Sequence, residues 1–325
     1  MSESIKKRTL GKSGLEITEI SLGLWPIGGE GWGPVEDAES LRVIDRALEL
    51  GVNFYDTADV YGFGHSEKIL GKAMNGRRDK FIVATKIGWI GFDHENQSTA
   101  YTTVDKVVEV VELALKHLQT DYVDLIQSHI NFRDKTMETM IEGFQKLQQD
   151  GKVRAYGVST SNFEYLQQFN ADGNCASLQI DHSILNRTSE AEIFPYCIEN
   201  NIGVLVRGPL AMGILTGKLT PDWEFPDGDF RQAWQKDPER HKIFLEDLEK
   251  VEKLRPLTNG KTMGQLALQF STAHPAVTAS IPGAKTVQQL EQNIAAAHLP
   301  ALTAEEWQII DSISLSGGGR KIWPA

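Results

Sequence analysis

Residues 37–58 read DAESLRVIDRALELGVNFYDTA, and their pattern sets the unit from which the chain is built. In the first part Leu41, Ile44, Ala47 and Leu48 fall on one face of a helix with a period of 3.6 residues. Gly51 follows, where a helix end favours a left-handed residue. VNFYDTA is then a short run of β-branched and aromatic residues, as a buried strand shows. The order returns downstream, where Gly151 follows the helical MIEGFQKLQQD and precedes the strand-like VRAYGVS.

Eight such strands are predicted. They are ITEISLGLW (17–25), VNFYDTA (52–58), FIVATKI (81–87), YVDLIQSH (122–129), VRAYGVS (153–159), SLQIDHS (177–183), GVLVRGP (203–209) and VTASIP (277–282). Helical patterns separate them; VDKVVEVVELALKHL (104–118) carries Val107, Val111, Ala114, Leu115 and Leu118 on one face. Strands alternating with helices predict a parallel sheet covered by helices, and eight strands close a barrel. The competing fold, an open doubly wound sheet, carries GxGxxG after its first strand when it binds a dinucleotide. Here that position reads GLWPIGGEGWG, which does not fit. The expectation is an α/β chain, a (β/α)8 TIM barrel with residues 1–325 as one domain. Two stretches stand outside the alternation. RTLGKSGLEIT, near the start, predicts a hairpin turning at KSG and plugging the barrel's bottom. Residues 217–256 form a long loop insertion after strand seven, ending in the charged helix PERHKIFLEDLEKVEKL. Loops at that face of a barrel shape the active site.

The bulk composition excludes several classes. Of 325 residues 41% are hydrophobic and 24% charged, enough for a large core and unlike a disordered chain. Lys and Arg number 33 against 44 Asp and Glu, a net charge of −11 that argues against nucleic acid or an anionic membrane as partner. Cys175 and Cys197 have neither CxxC spacing nor a disulfide framework, and no metal site is expected. The opening MSESIKKRTL lacks an apolar signal core and no apolar run is long enough to span a membrane, so a cytoplasmic protein is expected, its oligomeric state open.

Chemistry in a barrel sits where the strands end. Strand two ends at Asp56 with Tyr61 in the following loop, strand three at Lys86 and strand four at His129. Each has an ordinary explanation alone: a cap, a rim residue, a solvated strand end, a satisfied core histidine. Four at adjacent strand ends favour a site. Their types suit carbonyl reduction, which needs a proton delivered to oxygen. A phenol of pKa about 10 donates reluctantly, and a neighbouring ammonium makes it a better donor. Lys86 supplies that charge, Asp56 holds Lys86, and His129 can hydrogen-bond the carbonyl oxygen.

These residues lie in stretches that resemble the aldo-keto reductase superfamily, of bacterial type, over nearly the whole chain. The stretches are GVNFYDTADVYGFGHSEKILGKAM, FIVATKIG, DYVDLIQSH, GKVRAYGVS, LQIDHSILNR, GPLAMGILTGKL and IPGAKTVQQLEQNIAAA, in order. The resemblance implies the barrel, a tetrad of Asp56, Tyr61, Lys86 and His129 with Tyr61 as proton donor, and a nicotinamide cofactor. It also implies that Ser159 and Gln179 contact the carboxamide. Many relatives have Asn directly after that serine; here Thr160 follows, and Asn162 stands two residues on. Arg207 occupies the place where relatives stack an aromatic ring on the nicotinamide. The loop holding Gly208, Pro209, Leu210 and Gly213 would lie along the pyrophosphate, with Lys218 as charge partner and Arg231 either reaching over the phosphates or lying on a surface loop. After Gly283, Lys285 stands where relatives bind the adenosine 2′-phosphate, with Gln289 and Asn293 facing the adenosine. With no acidic residue beside Lys285 to clasp a ribose hydroxyl, NADPH/NADP+ is expected over NADH.

Trp25 and Trp89, with parts of residues 217–235, are expected to line the pocket for a small-molecule carbonyl substrate, with Trp32 and Trp323 as further wall or packing residues. The expected activity is therefore NADPH-dependent reduction of aldehydes or ketones. A cofactor-binding regulatory protein of the same fold is the alternative, and a barrel lyase using Lys86 as a Schiff base is a third reading.

Overall fold

The computed structural model describes residues 4–29, 31–93, 95, 98–132 and 135–322. Trp323 lies outside the described residues. The strands are β1 (Lys7–Thr9), β2 (Glu16–Thr18), β3 (Leu22–Gly23), β4 (Phe54–Asp56), β5 (Ile82–Ile87), β6 (Phe92–Asp93), β7 (Ser98–Thr99), β8 (Val123–Ser128), β9 (Val153–Ser159), β10 (Ser177–Asp181), β11 (Gly203–Arg207) and β12 (Val277–Ser280). Eight of them form one parallel sheet in the order β3, β4, β5, β8, β9, β10, β11, β12. Its two edges meet through parallel bridges from Ile20 to Ser280 and from Gly23 to Gly283. Ser21 N donates to Ser280 O at 2.9 Å, and Ser280 N to Glu19 O at 2.9 Å. The sheet thus closes into the expected (β/α)8 barrel.

The helices are α1 (Asp37–Glu49), α2 (His65–Met74), α3 (Val104–Leu118), α4 (Lys135–Gln149), α5 (Phe163–Phe169), α6 (Ile193–Glu199), α7 (Ala233–Lys236), α8 (Pro238–Leu254), α9 (Met263–Ala273), α10 (Val287–Ala295) and α11 (Ala304–Ile313). The five residues predicted for the inner face of α3 are all buried. In α1 the buried stripe is Ser40, Val43, Ile44 and Ala47, with Leu41 and Leu48 half-buried at its margins. The expected stripe is therefore rotated: Ser40 and Val43 join the buried face, and the leucines flank it. Gly51 takes φ +89° just past α1, and Gly151 takes φ +74° past α4, as helix ends require.

The predicted first strand, 17–25, is divided between two structures. Glu16–Thr18 pairs antiparallel with Lys7–Thr9 to form the hairpin, and Leu22–Gly23 joins the barrel. The hairpin's Leu10, Leu15 and Ile17 pack against Phe54, Ala84, Leu125, Ala155, Leu205 and Ala279 from the strands. That layer is the plug expected at the bottom. Because side chains alternate along a strand, the residue two positions on faces the same interior. Phe54 is followed by Asp56, Ala84 by Lys86, Leu125 by Gln127 and His129, and Leu205 by Arg207. The apolar layer at one end thus sets the polar residues at the C-terminal end.

Candidate active site

Asp56, Tyr61, Lys86 and His129 come together at that C-terminal end. Lys86 is fully buried, and its Nζ donates to Asp56 Oδ2 at 2.8 Å, to the Thr57 carbonyl at 2.7 Å and to the Tyr61 hydroxyl at 3.2 Å. Gln179 Nε2 donates to the other Asp56 oxygen at 2.8 Å. Burial lowers the Lys86 pKa, but Asp56 and Tyr61 outweigh it, and the group ends above its ordinary value. Lys86 is therefore an ammonium with three acceptors, which does not suit a Schiff-base nucleophile. Burial raises Asp56, with Lys86 and Gln179 pulling back. Burial also raises the Tyr61 phenol, with the Lys86 ammonium and the Arg207 guanidinium opposing it.

The Tyr61 loop is held by close backbone packing. A Cβ on Gly28 would meet the Tyr61 carbonyl carbon at 2.7 Å, and one on Gly62, at φ +60°, would meet Gly28 O at 2.4 Å. Trp25 stacks on the Tyr61 ring at 5.9 Å and 20°. The His129 ring stands edge-on to Tyr61 at 6.0 Å and to Trp89 at 6.2 Å. Its Nδ1 is buried with no partner among the described residues. Burial, then Lys86 and Arg207, hold its pKa well below the ordinary value, so the ring is neutral at neutral pH.

Asp56, Tyr61 and His129 line a cleft of about 980 Å³; Lys86 sits behind them. Every residue expected to hold the cofactor lines the same cleft. Ser159, Thr160, Gln179 and Arg207 lie at the tetrad end. Gly208, Pro209, Leu210, Gly213 and Lys218 form one wall. Gly283, Lys285, Gln289 and Asn293 belong to the β12–α10 corner. Asn162 is not among the lining residues. Its side chain accepts from Tyr165 N at 2.9 Å and caps α5. Lys285 stands directly before Thr286, the cap of α10, and its ammonium donates to the Trp32 carbonyl. Gln289 Oε1 accepts from Lys285 N at 2.8 Å, and Asn293 Nδ2 donates to Gly283 O at 3.3 Å. Arg207 Nη2 reaches Ser161 Oγ at 3.4 Å while its Nε has no partner among the described residues. Burial lowers its pKa, partly offset by Asp181 and Tyr61.

Trp25, Trp32 and Trp89 line the cleft as expected, and Trp223 and Phe230 of the long insertion join them. Phe230 stacks on Trp25 at 5.9 Å and 9°. Arg231, left between two roles by its sequence, lies in the cleft wall between the Trp32 and Phe225 rings, tied to Asp229 and the Met212 carbonyl. Two contributors gave no clear sequence signal: the Thr57 carbonyl that receives Lys86, and Asp181, buried beside Arg207 in the β10–β11 register. Among the described residues no helix is long and apolar enough to cross a membrane.

Residues 19–315 match the Aldo/keto reductase family. The chain is similar to aldo-keto reductase YhdN of Bacillus subtilis, 35% identical over 291 residues, covering 87% of this chain and 86% of that one. It is 30% identical to aldo-keto reductase yakc [NADP(+)] of Schizosaccharomyces pombe, covering 82% and 79%. Among solved structures, the glycerol dehydrogenase AKR11B4 of Gluconobacter oxydans superposes with a TM-score of 0.78 at 32% identity, covering 100% and 99%.

Proposed function

The chain belongs to the aldo/keto reductase family of oxidoreductases, and we propose that it reduces aldehydes or ketones with NADPH, taking the whole chain, 1–325, as one catalytic barrel. The observation that carries this reading is the buried Lys86 ammonium, hydrogen-bonded to both Asp56 and the Tyr61 hydroxyl at the floor of an aromatic-walled cleft.

The residues present suit a phosphorylated dinucleotide. One end of the cleft offers the Lys285 ammonium at the start of α10, where Val287 N donates to Glu39 Oε1 at 3.2 Å, so the ammonium rather than the helix end favours a phosphate. Gly208, Gly213 and Lys218 border the middle. At the tetrad end Ser159, Thr160 and the Gln179 oxygen offer partners for a carboxamide, because only the Gln179 amide nitrogen is engaged with Asp56. Arg207 lies there as a planar cation in place of an aromatic ring. The yakc relative carries NADP(+) in its name, which agrees with this choice.

A nicotinamide held beside Ser159, Gln179 and Arg207 would supply the hydride that the carbonyl carbon needs. Tyr61 donates its hydroxyl proton to the carbonyl oxygen. Lys86 stabilises the phenolate that results, and Asp56 holds the ammonium in place. His129, neutral, carries one N–H; with Nδ1 buried and without a partner among the described residues, the proton belongs on Nε2, where it can orient the carbonyl oxygen. Trp25, Trp89, Trp223 and Phe230 exclude water and bind the flat or apolar part of the substrate. A cofactor-binding regulatory protein of the same fold would share this tetrad, so turnover of an aldehyde, not the geometry, separates the two readings.

The test is titration of the protein with NADPH and NADH by tryptophan fluorescence, followed by a panel of aldehydes. Tighter binding of NADPH and its oxidation by an aldehyde support the proposal. Binding of neither nucleotide refutes it.

A further inference from the structure

Asp59 has no part in the proposed chemistry, yet it is buried two residues before Tyr61. Its Oδ2 accepts from the backbone N–H of Gly88 at 3.2 Å and of Ile90 at 3.4 Å, the amides on either side of Trp89. Its own N–H donates to the Lys86 carbonyl at 2.9 Å. From the far side, the Tyr101 hydroxyl donates to Ile90 O at 2.7 Å. Gly88, where the chain leaves β5, is at φ +140°, a conformation that side-chain-bearing residues rarely adopt. One carboxylate thus ties the loop carrying Tyr61 to the loop carrying Trp89. Both of those rings line the cleft, and both meet His129 edge-on.

We propose that Asp59 is a positioning residue whose charged carboxylate clasps the Gly88–Ile90 loop to the Tyr61 loop and so sets the substrate mouth between Tyr61 and Trp89. The claim that the mouth receives a carbonyl rests on the function proposed above; the clasp itself does not.

The clasp responds to protonation. A carboxylate accepts two N–H bonds strongly, whereas a carboxyl group accepts them more weakly. Burial, and then the negative charge of Glu67, push the Asp59 carboxyl up to about 7, with the Gly88, Ile90 and Val60 amides pulling back. The titratable groups facing it are Glu67 of α2, itself held by Thr85 and by His117 of α3, and the Tyr101 phenol. As pH falls through about 7, Asp59 takes a proton and the clasp loosens.

The experiment measures KM for benzaldehyde, kcat and NADPH Kd across this pH range in the wild type, Asp59→Asn and Asp59→Ala. In the wild type KM should rise about two- to tenfold as pH falls, the worth of one net hydrogen bond. Asp59→Asn should hold KM at the raised level at every pH, Asp59→Ala should raise it at least as far, and NADPH Kd should stay unchanged in both. An Asn variant that retains the wild-type pH profile overturns the proposal, as does a parallel loss of NADPH affinity. Hydrogen exchange at residues 88–90 reads the clasp without any substrate. Wild-type protection, corrected for intrinsic exchange, should fall below about pH 7, the titration of Asp59. Protection that ignores pH overturns the clasp. An enzyme with no aldehyde turnover but pH-sensitive protection overturns only the carbonyl function.

Discussion

The Lys86 ammonium lies 2.8 Å from Asp56 Oδ2, and neither side chain has more than a trace of exposed surface. Such a pair costs most when one member is removed, because the survivor is left charged and dry. Lys86→Met should destabilise the protein by about 3–5 kcal/mol. Adding Asp56→Asn should recover part of that loss, since it removes the orphaned charge. Denaturant midpoints of the single and double variants measure this. A double variant no more stable than Lys86→Met would contradict the pairing.

At the other end of the cleft, Lys285 has a single described acceptor, the Trp32 carbonyl, and is free to exchange it for a phosphate. Lys285→Glu places a carboxylate against the 2′-phosphate. NADPH Kd should rise at least about tenfold, the worth of a lost charged hydrogen bond, and NADH Kd should change far less. Fluorescence titration with both nucleotides decides it, and equal effects would remove Lys285 from the site.

Thr160 and Asn162 were indistinguishable as carboxamide partners in the sequence, and the structure separates them. Asn162→Ala removes the cap of α5 and should cost about 0.5–2 kcal/mol of stability while leaving cofactor affinity intact. Thr160→Ala removes an acceptor that the Asn162 N–H meets at 3.0 Å, and it should weaken NADPH, which Asn162→Ala should not. The opposite assignment of effects, read by thermal unfolding and titration, would return Asn162 to the cofactor site.

His129 is held neutral, with its pKa well below the ordinary 6.5. The unfolded chain takes up a proton at that site near its ordinary value, where the folded protein does not. The unfolded state therefore gains protons first, and stability falls as pH drops below about 6.5. His129→Asn should flatten that part of the profile. Unfolding free energies of the two proteins between about pH 4 and 7 measure the difference, and identical slopes would contradict the neutral ring.

Much of this was legible in the sequence because the barrel's requirements are periodic. Alternation along each strand placed Phe54 with Asp56 and Ala84 with Lys86, so the apolar layer and the site were written in the same runs. The stretch 17–25 was drawn too long: Ile17 and Thr18 belong to the hairpin read from RTLGKSGLEIT and pair with Arg8 and Lys7, so only Leu22–Gly23 joins the barrel. The α1 stripe was rotated because Ser40, though polar, is small and lies buried. Asn162 stayed undecided and Asp59 unread for a common reason: a lone Asn or Asp in a loop has the same letters whether it caps a helix, clasps a neighbouring loop or meets solvent. Only the positions of Tyr165, Gly88 and Ile90 distinguish those cases.

The central claim is that Tyr61 delivers the proton in an NADPH-dependent reduction, and Tyr61→Phe tests it most directly. The substitution removes the hydroxyl that Lys86 touches at 3.2 Å and little volume. Measured side by side, the variant should bind NADPH as tightly as the wild type and oxidise it with an aldehyde about 10²–10⁴-fold more slowly. Turnover near the wild-type rate would contradict the account.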